Sequence, residues 1–142
     1  MKKLLFSTMV VLFFLANAGM AAAAADYIPP FDGQHQSMAD GSSYFSGGVG
    51  ITERAQLKDM TRDCNLKLVF DTRTGAYLSD VAVKIQDAKG RVLIDTVSRG
   101  PWFSVKLPAA EYRITATFGS HSDVQLIQLA SKHQTCILSW TV

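Results

Sequence analysis

The chain has 142 residues, with 14 Lys and Arg against 12 Asp and Glu. Lys2 and Lys3 account for the excess of base, so 12 bases and 12 acids remain beyond residue 25, and the bases there are scattered singly. Nucleic acid is not an expected partner of such a near-neutral chain, because affinity for a phosphate backbone rests on clustered Lys and Arg.

Met1-Lys2-Lys3 is a short cationic segment, followed by an apolar run at 4–15 and small residues from 16 to 25. This three-part order is that of a cleavable secretory signal peptide. The apolar run is shorter than the roughly 20 residues that cross a hydrocarbon core as helix, so an uncleaved membrane anchor is not expected. Small residues permit cleavage after Ala18 or within 21–25, and Asp26 is the favoured new N-terminus. The only cysteines are Cys64 and Cys136, far from any cleavage point, which excludes a lipid anchor there. The expectation is a soluble periplasmic or secreted protein. About 117 residues then remain, enough to bury one core and too few for two.

Residues 26–50 are crowded with Gly, Pro, Ser, Asp and Gln and carry no sustained period, which reads as a loop or tether. Residues 52–60 form a short predicted helix, with Thr52 as N-cap, Glu53 in the first turn, and Leu57 and Met60 on one face. Beyond residue 63 the pattern is strand and turn. Leu66, Leu68 and Phe70 alternate with polar or smaller neighbours over 64–71, and a turn at 72–75 ends the run. Val81, Val83 and Ile85 define the next strand, and Asp87-Ala88-Lys89-Gly90 turns it into a hairpin with 91–96. Predicted strands follow at 102–107, 111–118, 124–129 and 134–141, separated by Pro108, Gly119-Ser120 and a polar stretch. Seven short strands with closely spaced turns, and no connection long enough for a crossover helix, predict an all-β antiparallel seven-stranded sandwich at 63–142.

The stretch Phe103-Ser104-Val105-Lys106-Leu107-Pro108-Ala109-Ala110-Glu111-Tyr112-Arg113-Ile114 resembles the Leu-Pro-x-Gly-x-Tyr signature of carboxypeptidase regulatory-like domains, the transthyretin-like (prealbumin-like) sandwich. Gly75-Ala76-Tyr77-Leu78-Ser79-Asp80-Val81 and the 87–90 turn fit the first hairpin of that family, and the resemblance spans roughly 64–140. Ala110 stands where the family has glycine, which implies a different turn or a strained residue there. The resemblance specifies a fold more than a function, since such modules occur as accessory and adhesive domains. It implies for Tyr112 a ring in the core and a hydroxyl bonded to loop backbone. In sandwiches of this kind the first and last strands lie near one another. Cys64 falls in step with Leu66 and Leu68, and Cys136 with Leu138 and Trp140, so a Cys64–Cys136 disulfide is expected in an oxidising compartment. Closing that loop of about 72 residues contributes up to roughly 4 kcal/mol.

Trp102 alternates against Phe103, Val105 and Leu107 and so faces outward, where a Trp can anchor a partner. Trp140 is in phase with the core. There is no Gly-x-Ser-x-Gly elbow, and the chain ends Ser139-Trp140-Thr141-Val142, not in the Tyr-Arg-Gly-Ser of transthyretin-like hydrolases. Ser46-Gly47-Gly48-Val49-Gly50 lacks the Lys and hydroxyl residue of a phosphate loop. His35, and His121 with Asp123, offer too few ligands for a closed metal site, so no metal and no cofactor is expected. The reading is a non-enzymatic periplasmic module that binds a protein or envelope component, with Trp102 as its candidate contact. The alternative is a metal-handling protein or enzyme whose site forms between 26–50 and the sandwich.

Overall fold

The computed structural model describes residues 30–142, so the expected leader and its cleavage points lie outside the described residues. Among those residues the strands are β1 (Gln34–Ser37), β2 (Ser43–Gly47), β3 (Leu66–Thr72), β4 (Val81–Asp87), β5 (Val92–Ser98), β6 (Trp102–Val105), β7 (Ala110–Phe118), β8 (His121–Leu129) and β9 (Gln134–Trp140). Helix α1 (Ile51–Met60) links β2 to β3. One sheet has the order β1-β2-β6-β3-β9 and the other β5-β4-β7-β8.

Period-two alternation is what gives each sheet its apolar side. Leu66, Leu68 and Phe70 of β3, Val81, Val83 and Ile85 of β4, and Ile114 and Ala116 of β7 have no exposed surface and join one core with Phe103, Val105 and Leu138. Each fully buried Leu, Ile, Val or Phe contributes about 1.5–3 kcal/mol of transfer free energy, so the inward positions of both sheets hold them face to face. Tyr112 closes one end of the core, its hydroxyl donating to the Pro108 carbonyl at 2.6 Å. Ala110 opens β7 without the positive φ that its glycine-like position implied; the one non-glycine residue with positive φ among those described is Asp80. The turn takes a conformation that alanine adopts without strain.

Three expectations need correction. Residues 34–47 are not a loop: β1 and β2 form an antiparallel hairpin, and β2 pairs with β6, so nine strands replace the expected seven. The hairpin escapes a hydrophobic-period reading because polar bonds hold it. Ser46 Oγ donates to Gln34 Oε1 at 2.9 Å, Tyr44 Oη to Gln36 Oε1 at 2.7 Å, and Gln34 Nε2 reaches across to Thr96 on β5. The fold is also not wholly antiparallel, because β3 and β9 run parallel from Leu66↔Gln134 to Thr72↔Trp140. The long connection that parallel neighbours require here comprises the whole opposite sheet together with β6, in place of a crossover helix.

That parallel register separates the cysteines, which are unbonded. Cys136 lies opposite Leu68, four residues along the strand from Cys64. At about 3.3 Å per residue the offset is roughly 13 Å, well beyond the roughly 7 Å that a disulfide spans. Phase correctly turned Cys136 toward the core, but it carries no information on how far along the ladder two residues meet.

Candidate functional site

The outward side of β3 and β6 is where chemistry collects. With Leu68 and Phe103 pointing inward, Lys67, Val69 and Trp102 point outward, and Val69 is the direct cross-strand neighbour of Trp102. Helix α1 follows β2 and packs against it with Leu57 as its buried residue. Gly50 occupies its N-cap position, so Thr52 falls inside the first turn and is not the cap. Glu53 instead reaches back, its carboxylate accepting from the Gly48 N–H at 3.0 Å, where negative charge also complements the helix N-terminus. This entry angle brings Gly48 against the indole of Trp102 and aims the helix face bearing Ile51, Arg54 and Lys58 at it.

Trp102 is therefore half-buried, more enclosed than its strand phase alone implied. The Lys67 ammonium lies 3.3 Å from its ring centroid, and the Arg54 guanidinium is 6.0 Å from Trp102 and 5.4 Å from Tyr77. Tyr77 comes from the β3–β4 loop, placed by its bridge to Asp71. Ile51, Arg54, Ala55, Lys58, Tyr77 and Trp102 line a cleft of about 350 Å³. Burial, with the neighbouring Lys58 charge second, pushes the Lys67 ammonium below its usual range. The ion pairs among the described residues are Arg62–Asp59 and Arg91–Asp87, so none involves Arg54, Lys58 or Lys67. Three acids close in sequence are engaged elsewhere: Glu53 with the Gly48 backbone, Asp59 with Arg62, and Asp71 with the Ser139 hydroxyl. The arrangement is an electropositive, aromatic-backed cleft that can hold an anion by charge and apolar groups at its rim, where Ile51 is 83% and Val49 63% exposed.

The other candidates do not converge. His35 stacks on Phe45 at 4.4 Å on β1, at one edge of the five-stranded sheet, whereas the His121 carbonyl accepts from Trp140 Nε1 at the other edge. Four strand spacings between the edges, about 19 Å, keep the two histidines apart. Among the described residues no three His, Cys, Asp or Glu side chains gather as a metal site. The β1–β2 hairpin does meet the opposite sheet, where Met38, Asp40, Asp87, Arg91, Leu107 and Tyr112 border a cleft of about 480 Å³. Its two carboxylates are committed to turns. The Ser42 hydroxyl and N–H hold Asp40 below the usual carboxylate range, and the Arg91 backbone N–H and guanidinium do the same for Asp87. Carboxylates stabilised as anions do not donate protons near neutral pH.

Sequence reasoning found Trp102 but not Arg54, Lys67 or Tyr77. Lys67 is outward by phase, yet only the β3–β6 pairing, which no local pattern specifies, sets it beside Trp102. No family model matches the chain, and neither a curated protein nor a solved structure is similar enough to count as a match.

Proposed function

We propose that this protein is a non-enzymatic binding module of the periplasm or extracellular space, a transthyretin-like sandwich that engages a protein or envelope component through the α1–β3–β6 face. The observation that carries this reading is the convergence of Arg54, Lys58 and Lys67 around Trp102 and Tyr77 without an ion-pair partner among the described residues. A cation held in place over a ring keeps its charge available while losing little further freedom on binding, and aromatic and Arg side chains are the residue types that dominate recognition surfaces. The side chains lining the cleft are cationic, aromatic and aliphatic, and Arg and aromatic residues are the types enriched at recognition surfaces. The cationic, apolar and small-residue order of residues 1–25 supports export, and the Leu107-Pro108 to Tyr112 corner, with its hydroxyl bond to Pro108, supports the transthyretin-like reading.

Photo-crosslinking in intact cells tests the role. A benzophenone amino acid in place of Tyr77 is expected to give a discrete adduct, and the same group in place of Thr117, on the outer side of the opposite sheet, is not. Equal labelling from both positions, or none from either, would remove the proposed face.

A further inference from the structure

Bringing like charges together raises the energy of a folded chain unless an anion meets them, and the α1–β3–β6 face gathers three cations, Arg54 and Lys58 on the cleft lining and Lys67 on the Trp102 ring, with no ion pair to any of them among the described residues. Lys67 is not free to swing into solvent: its stem is half-buried and its ammonium sits on the Trp102 ring. Arg54 is likewise spread between Trp102 and Tyr77. The rings thus hold the charges in position, and much of the ordering that capture of a ligand requires is already present.

The same contacts narrow the ligand. Trp102 carries both Lys67 and Arg54, so a sugar or a second aromatic group has little of that ring on which to stack, and beside it the cleft presents positive charge. The half-buried Arg54 and Lys67 lie below a rim formed by Ile51, Val49 and the 53%-exposed Tyr77. A planar array of lipid phosphates would meet exposed Lys58 and that apolar rim before it met Arg54 and Lys67. A single extended chain can lower carboxylates into the cleft and lay apolar side chains along the rim. Building on the binding role proposed above, we infer that the occupant is an acidic peptide segment of a partner protein, its Asp or Glu carboxylates on Arg54, Lys58 and Lys67 and its apolar side chains against Val49 and Ile51.

The two indole N–H signals in a ¹H–¹⁵N spectrum of the protein as purified from cells test this directly. Trp140 is an internal control, buried and bonded to the His121 carbonyl. A Glu-rich octapeptide carrying two leucines is expected to move the Trp102 signal and leave Trp140 in place, whereas the Lys counterpart moves neither. Affinity should fall at least tenfold between 50 and 300 mM salt, and at least tenfold again in the Arg54→Gln, Lys67→Gln double variant, with an unmoved Trp140 signal confirming the fold. Lys67→Arg should retain binding, and Lys84→Gln, on the opposite sheet, should not alter it. No shift with the acidic peptide, or a shift that survives in the double variant, would overturn the inference. Movement of Trp102 by phosphatidylglycerol vesicles but not by the peptide would overturn it in favour of a lipid headgroup. If the peptide fails while position 77 still crosslinks a partner, the binding role stands and the acidic partner falls; if both fail, the binding role falls too.

Discussion

Asn65 ties three parts of the fold together, and truncating it measures how firmly. Its Nδ2 donates to the carbonyls of Leu107 at 2.7 Å and Ala130 at 3.2 Å, and its Oδ1 accepts from the Leu107 N–H at 2.9 Å. One buried side chain thereby fixes the start of β3 against the loop before β7 and the loop before β9. In Asn65→Ala the Leu107 N–H and carbonyl lose their partners where water does not readily replace them, whereas exposed Ala130 can turn to solvent. A buried group left unsatisfied costs about 1–3 kcal/mol, so a combined loss of about 2–4 kcal/mol is expected. For a domain of this size that corresponds to a fall in Tm of roughly 10–15 °C. Urea unfolding should show a lower midpoint with an unchanged slope, the signature of lost stability without a change in the surface exposed. A loss under about 1 kcal/mol would refute the idea that this junction is held by Asn65.

Tyr112→Phe removes only the hydroxyl that donates to Pro108, and is expected to lower stability by about 1–2 kcal/mol in thermal unfolding while leaving the cleft around Trp102 unchanged. Unfolded, unreduced protein should titrate with two free thiols per chain, and a single disulfide would contradict the β3–β9 register. Burial pushes the Cys64 thiol up to about 11 from 9.0, so in the folded chain it should alkylate slowly at pH 8. Because the unfolded thiol ionises first, stability should be unaffected by this group below pH 9 and decline as pH rises through 11. Trp102→Ala deletes a half-buried ring that carries two cations and should cost about 1–2 kcal/mol by urea titration, a loss small enough to leave the protein folded.

The core of the fold was legible because burial imposes a period. Leu66, Leu68 and Phe70, or Val81, Val83 and Ile85, declare their face in the sequence, and Tyr112 announces its corner. The β1–β2 hairpin was not legible, since Gln34 and Ser46 satisfy polar groups with one another and with Thr96, and exposed Gln36 accepts from Tyr44. The cysteines show the limit of phase: it fixes which face a residue takes, while the pairing of β3 with β9, and its register, fixes which residues meet. The cleft was half visible for the same reason. Trp102 could be placed outward from its own strand, but Lys67, Arg54 and Tyr77 reach it from three other elements.

The claim that this face recognises a partner is tested most directly by the yield of crosslinked adduct from position 77 in cells, compared between the otherwise native chain and one that also carries Trp102→Ala. The expected result is a discrete adduct in the first and its loss in the second, with equal amounts of folded protein in both. An adduct of undiminished yield after Trp102→Ala would contradict the account.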